Sequence, residues 1–306
     1  MTPPREALPE SVLCLHRVTR LPVGLGDPVF AHYSTMKLGE AASVAYYSRL
    51  LLPLVERAIA DDPGHRDWVL TAPATDALPS GANLLCEAVD ELLRGRLQPG
   101  VALRRVDLRQ RTPDPAHREL NRAYKYSRLS WSARRRSRAY WHSLLIDEPA
   151  LAGRAVIFVN DINVTGAQQA GMRDWFARQG AASVTWVYIV DVDEAVGRAA
   201  PEIEYTINES TPLTVELLAA VLASDGLRLT SKGVGRLLSL DERDLERLLT
   251  LLDEDGREEL RRLAMIDSRY AARQYAAKME LLHQACAPAP PRRRQQPPLR
   301  GLQARK

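Results

Sequence analysis

Two apolar runs constrain this chain more than any other feature. AVIFV (155–159) is a continuous apolar run, and SVTWVYIVDV (183–192) is predominantly apolar, with Ser183, Thr185 and Asp191 as its polar residues. A strand with one wet face would alternate, so both runs are suited to strands covered on both faces, as in a parallel sheet. Between them, residues from about Ala167 to Arg178 form a helical stretch that Gly180 ends. Strand, helix and strand in this order predict a crossover unit, and with it an α/β fold around a parallel sheet.

The flanking segments extend this pattern. VLCLHRV (12–18) and PVFAHY (28–33) read as short strands joined through a Pro/Gly turn region, and residues 39–60 as a long helix that Pro53 would bend. DWVLTAP starts a strand at Asp67, a loop rich in Ala, Pro and Thr follows, and a helix runs from about Gly81 to Leu93. VALRRVDL (101–108) alternates as a strand with one wet face. Residues 109–137 have no clean period and read as a long loop, partly helical towards 132–145. After Pro212 the chain changes to amphipathic helices, with Asp241 placed to cap one of them. The expected organisation is an α/β domain over 1–211, a helical region over 212–285, and a Pro/Arg-rich tail over 286–306 that cannot bury apolar surface.

Composition enters through charge. The chain of 306 residues has a formal net charge of +4. Residues 104–138 alone hold twelve Lys+Arg against three acids, and the tail adds six basic residues and no acid. Such a concentrated basic segment on an otherwise acidic body suits a phosphate-rich ligand or nucleic acid. No stretch approaches the ~20 apolar residues of a membrane helix, and the N-terminus lacks the pattern of a secretory signal. Three well-separated cysteines and six scattered histidines offer neither a disulfide framework nor metal-ligand spacing. A reduced, cytoplasmic setting is expected.

Chemistry concentrates in AVIFVNDINVTGAQQAGMRDWF (155–176), where a buried strand runs through Asn160 and Asp161 into a loop and then a helix. A loop that ends at a helix start aims several backbone N–H groups at one spot, and the helix dipole favours an anion there. Gly166 allows close backbone approach, and the Thr165 hydroxyl adds a donor. Asp161, at the carboxyl end of the strand, can accept from sugar hydroxyls or engage a metal through water.

This segment resembles the phosphoribosylpyrophosphate (PRPP) motif of type I phosphoribosyltransferases: a hydrophobic strand, two acids, then Thr and Gly before a helix. The resemblance implies a Rossmann-like parallel-sheet core and a reaction that moves the phosphoribosyl group of PRPP to or from a nitrogenous base or related acceptor. It implies that Asn160 and Asp161 hold the ribose. It places Asn163, Val164, Thr165, Gly166, Ala167 and Gln168 around the 5′-phosphate, and Ala74 and Thr75 in the pyrophosphate loop. Mg²⁺ would be bound through PRPP and pyrophosphate, with no dedicated protein metal site. Residues 109–138 occupy the place of the mobile catalytic lid, where Lys125 and Arg128, beside Tyr124, are the candidates to neutralise the departing pyrophosphate. HYSTMKLGEAA (32–42) and the helical C-terminus also resemble the phosphoribosyltransferases of bacterial tellurium-resistance-type stress operons.

Two positions depart from the family pattern. Asn160 replaces the first acid, and Val164 stands where hypoxanthine-guanine enzymes carry an Asp that handles a purine proton, which argues against a 6-oxopurine substrate. PRPP and a small-molecule acceptor are favoured over nucleic acid as partners, and a homodimer is compatible with the sequence. The alternative reading is a non-catalytic PRPP- or nucleotide-sensing regulator whose basic segment or tail meets nucleic acid.

Overall fold

The computed structural model describes residues 7–75, 77–110, 144–145 and 150–287. Five parallel strands form one sheet in the order β1-β7-β6-β2-β3: β1 (Glu10–Val18), β2 (Asp67–Thr71), β3 (Ala102–Arg105), β6 (Ala155–Asn163) and β7 (Ser183–Val192). Two short strands, β4 (Arg109–Gln110) and β5 (Leu144–Leu145), pair antiparallel beside it. The expected α/β fold with a parallel sheet is therefore the observed one.

Both faces of the sheet are covered. Along β6, Ala155, Ile157 and Val159 point into a cluster with α2 (Ala41–Ala60) and α3 (Gly81–Leu93), where Tyr47, Leu51, Leu85 and Val89 are fully buried. Val156 and Phe158 point the other way, onto Met172, Trp175 and Phe176 of α4 (Ala167–Arg178). The period-2 alternation of a strand thus serves two cores at once, which is why the run has no polar face. Phe158 meets Trp186 edge-to-face at 5.2 Å, a geometry that adds about 0.5–1.5 kcal/mol beyond burial. The helix α2 continues through Pro53, whose side is exposed. Ser80 caps α3 in a reciprocal arrangement with Asn83.

Five longer or shorter helices follow β7 and its two short successors, α5 (Glu194–Ala199) and α6 (Ile203–Asn208): α7 (Val215–Leu222), α8 (Ser231–Leu237), α9 (Glu242–Leu251), α10 (Glu254–Ile266) and α11 (Ala276–Cys286). Asp241 caps α9 as expected, accepting from the Asp244 amide. Their apolar faces form a further cluster that includes Leu38 and Leu78 from the preceding part of the chain.

Two sequence expectations change. Residues 28–33 are not a strand: Asp27 caps a 3-10 turn over Pro28–Phe30, and α1 (Tyr33–Leu38) follows. The side-chain carboxylate of Asp27 accepts from the Val29 amide and turns a Pro-Val-Phe sequence of good strand propensity into a helical turn. The second change is in β6, which continues past Val159 to Asn163, so Asn160 and Asp161 lie within the strand and the loop shortens to three residues. Pairing with β7 extends it, with Asn160 opposite Tyr188 and Asn163 opposite Asp191. The tail beyond residue 287, Lys125, Arg128 and nearly all of the basic loop lie outside the described residues.

Candidate functional site

The strand order places a switch point between β2 and β6. The chain leaves β2 towards β3 on one side and leaves β6 towards β7 on the other. Connections that leave in opposite directions mark the place, outside the carboxyl ends of the strands, where open α/β sheets hold their ligand crevice. Asn160, Asp161 and Asn163 end β6 at this crevice, and Ala74 and Thr75 lie in the loop after β2. Thr75 forms a parallel bridge with Arg109, and the Asn83 amide donates to the Pro73 carbonyl at 3.0 Å, so this loop is tied to β4 and α3.

Asn160 and Asp161 point to opposite faces of β6. The Asn160 amide donates to the Ile162 carbonyl at 3.2 Å and to Gln168 Oε1 at 3.4 Å, on the α4 side. Asp161 faces α1 and is 6% exposed. Its Oδ2 accepts a hydrogen bond from the Tyr33 hydroxyl at 3.1 Å and forms an ion pair with Lys37 Nζ. Among the described residues both contacts fall on Oδ2.

The loop of Val164, Thr165 and Gly166 is built from three directions. Asn163 Oδ1 accepts from the Gly166 amide at 3.1 Å, while the Asn163 amide donates to Asp191 Oδ1 at 2.8 Å and to Gln169 at 3.2 Å. Gly166 has φ +66°, the left-handed region where glycine carries no Cβ penalty, and the space beside it is open. It is the N-cap of α4, and no side chain caps that helix, so the first-turn amides face the crevice without an internal acceptor from a side chain. From behind, Gly197 of α5 lies so close that a Cβ there would sit 1.6 Å from the Val164 carbonyl oxygen. Val164, Thr165 and Ala167 are buried.

Sequence reasoning missed Tyr33, Lys37 and Asp191. Asp191 ends a buried strand just as Asp161 does, so its position was a readable signal. Lys37 had only a weak one, a helix stop at Gly39 that would place it in a last turn. Gly39 has φ +101° and abuts the Arg228 carbonyl, and the backbone amides of Arg228 and Thr230 donate to Gly39 and Leu38. The Ser231 amide donates to the Pro79 carbonyl. Residues 228–231 thus fasten both α1 and the loop after β2. Beside Lys37 lies a second buried acid, Glu204 of α6, paired with Lys232 at 3.5 Å.

Burial pushes the Asp191 carboxyl above its ordinary value, against the hydrogen bond from Asn163 and the charge of Arg17 at 3.0 Å. A carboxyl with a raised folded-state pKa binds its proton more tightly when folded, so its contribution to stability falls as pH rises from the unfolded value of about 4 through the folded one. Asp191→Asn is accordingly expected to gain stability relative to wild type between pH 4 and the region above the folded value. Urea denaturation across that range measures it; a difference between the two proteins that stays flat with pH would show that Asp191 is ionised as easily as in the unfolded chain.

A comparison with curated proteins finds no significant match. The model of the family described as phosphoribosyltransferase (PRTase) ComF-like matches residues 115–282. That segment contains β6, the loop and α4, as well as β7 and the C-terminal helices up to Leu282. With more than half of its length matched, the chain belongs to the PRTase ComF-like family.

Proposed function

We propose that the chain binds PRPP and transfers its phosphoribosyl group to a nitrogenous base or related acceptor. The observation that carries this reading is the succession of Asp161, a left-handed Gly166 and the uncapped start of α4 at the sheet's switch point. Asp161 accepts from the ribose hydroxyls through Oδ1, and the amides at the start of α4, with the Thr165 hydroxyl, hold the 5′-phosphate. The acceptor nitrogen attacks C1 of the ribose, the bond from C1 to the pyrophosphate oxygen breaks, and the nitrogen loses a proton to solvent. Lys125 and Arg128, with the loop of Ala74 and Thr75, are assigned to the departing pyrophosphate. The acceptor rests against α1, α5 or α6, which border the crevice.

The described residues do not fit a metal held by protein ligands. No group of three or more His, Cys, Asp or Glu residues among them could hold an ion, the Asn160 amide is turned to a backbone carbonyl and Gln168, and Asp161 Oδ2 faces an ammonium. Mg²⁺ would be carried on PRPP and pyrophosphate and would supply charge neutralisation there. No described helix is long and apolar enough to cross a membrane; a cytoplasmic protein, monomeric or a homodimer, is the setting proposed for this reaction.

The inward hydrogen bonds of Asn160 favour one second reading, a PRPP-sensing regulator that binds without turnover. Calorimetry with PRPP and an assay of pyrophosphate release against a panel of bases separate the two. Binding with release supports the transferase, and binding without release across the panel supports the regulator. Gly166→Val should abolish PRPP binding, because a β-branched residue is strained at φ +66° and fills the open space beside the loop. Unchanged affinity in that variant would place the phosphate elsewhere.

A further inference from the structure

Lys37 is held in place with unusual thoroughness for a residue of a six-residue helix. Its helix ends at Gly39 against the Arg228 carbonyl, and the Thr230 hydroxyl donates to the carbonyl of Lys37 itself. The Lys37 side chain is 12% exposed and its Nζ lies 5.5 Å from the centre of the Tyr33 ring. Both residues converge on one oxygen of Asp161, Oδ2. A carboxylate this deeply buried needs a compensating positive charge. The neighbouring Asn160 brings no charge, and no described donor set holds a metal.

Resting on the phosphoribosyl reading above, we infer that Lys37 is the resident cation of the ribose site: it keeps Asp161 ionised and oriented, so that binding of the ribose 5-phosphate moiety requires no divalent metal. Lys37 is a positioning residue, acting through Asp161. Burial and the nearby Lys232 ammonium push the Lys37 amine well below the usual lysine range, with Glu204 opposing them. The acids that face the amine are Asp161, through the ion pair, and Glu204, whose charge opposes the downward shift.

The test is calorimetry on the full chain with ribose 5-phosphate, which carries no diphosphate to bring a metal with it, in EDTA and in Mg²⁺. Wild type is expected to bind with affinities within about twofold of each other in the two buffers, and Lys37→Met to lose about tenfold in EDTA and regain part of it with Mg²⁺. The acquired metal response is what a merely structural lysine would not produce. Wild-type binding that requires Mg²⁺, a variant that binds as wild type does, or a loss that Mg²⁺ leaves unchanged overturns the assignment while the phosphoribosyl reading stands. If wild type binds neither ribose 5-phosphate nor PRPP in either buffer, that reading itself falls and the assignment with it. Should Lys37→Met fail to fold, the wild-type comparison of the two buffers decides.

Discussion

Asp161→Asn is expected to weaken PRPP binding at least tenfold and to lower the melting temperature. Two effects combine. A hydrogen bond to a charged acceptor contributes ~1.5–3 kcal/mol, and an amide oxygen returns less, while ~1.4 kcal/mol is already a factor of ten in affinity. The substitution also strips Lys37 of its partner in a site where both side chains are about nine-tenths buried. Breaking a buried pair from one side costs about 3–5 kcal/mol, because the remaining charge is left undercompensated, with only Glu204, itself paired with Lys232, near it. Adding Lys37→Met to Asp161→Asn removes that undercompensated charge. The double variant should recover most of the melting temperature and none of the affinity. Scanning calorimetry and a PRPP titration of the two variants check this. Full affinity in the single variant would remove Asp161 from the ribose site, and equal stability of single and double variants would show that the ion pair carries no energy.

Gly197→Val is the second large expectation. Gly197 packs directly on the Val164 carbonyl, and any Cβ there would sit 1.6 Å from that oxygen. Neither backbone can yield locally, since Asp193 caps α5 and β7 anchors the residue before it. Either α5 lifts away or the loop of Val164 to Gly166 shifts towards the crevice. Overpacking of this kind costs about 1–3 kcal/mol, and a shift of about 1 Å in positioning groups can cost about a hundredfold in function. The variant should therefore lose PRPP affinity more than tenfold while melting only modestly earlier. An equilibrium titration on the folded variant settles it; wild-type affinity would mean that the loop does not cradle the ligand.

Much of the core was legible because its signals are local. The helices over 81–93 and 167–178 and the strand over 183–192 coincide with the observed elements. Each is bounded by residues whose effect needs no tertiary partner: Ser80 as a cap, Gly166 and Gly180 with positive φ. The uninterrupted apolar run of 155–159 and the predominantly apolar 183–192 suited two covered faces, and the structure supplies α2 and α3 on one and α4 on the other. Strand order could not be read in the same way. It depends on which buried strands find each other, and several orders satisfy the same apolar pattern.

The site divides along the same line. The sequence by itself determined the loop and the helix start from Val164 to Gln168, because glycine freedom and a helix terminus are properties of neighbouring residues. It also put Asp161 at the carboxyl end of a buried strand. Only the tertiary structure decided what Asp161 and Asn160 face. The residues Asn-Asp-Ile-Asn carry no strand signal, and it is pairing with β7 that draws them into β6 and sends the two side chains to opposite sides. Tyr33 reaches Asp161 from 128 positions away, on a helix that the apolar residues of 28–33 disguised as a strand. The charge beside a buried carboxylate is fixed by whatever the packing brings within reach, here Lys37, held there by backbone hydrogen bonds from Arg228 and Thr230. Long-range pairing of this kind leaves no periodicity in the chain, since the cost of burying each charge is relieved only once the distant partner has arrived.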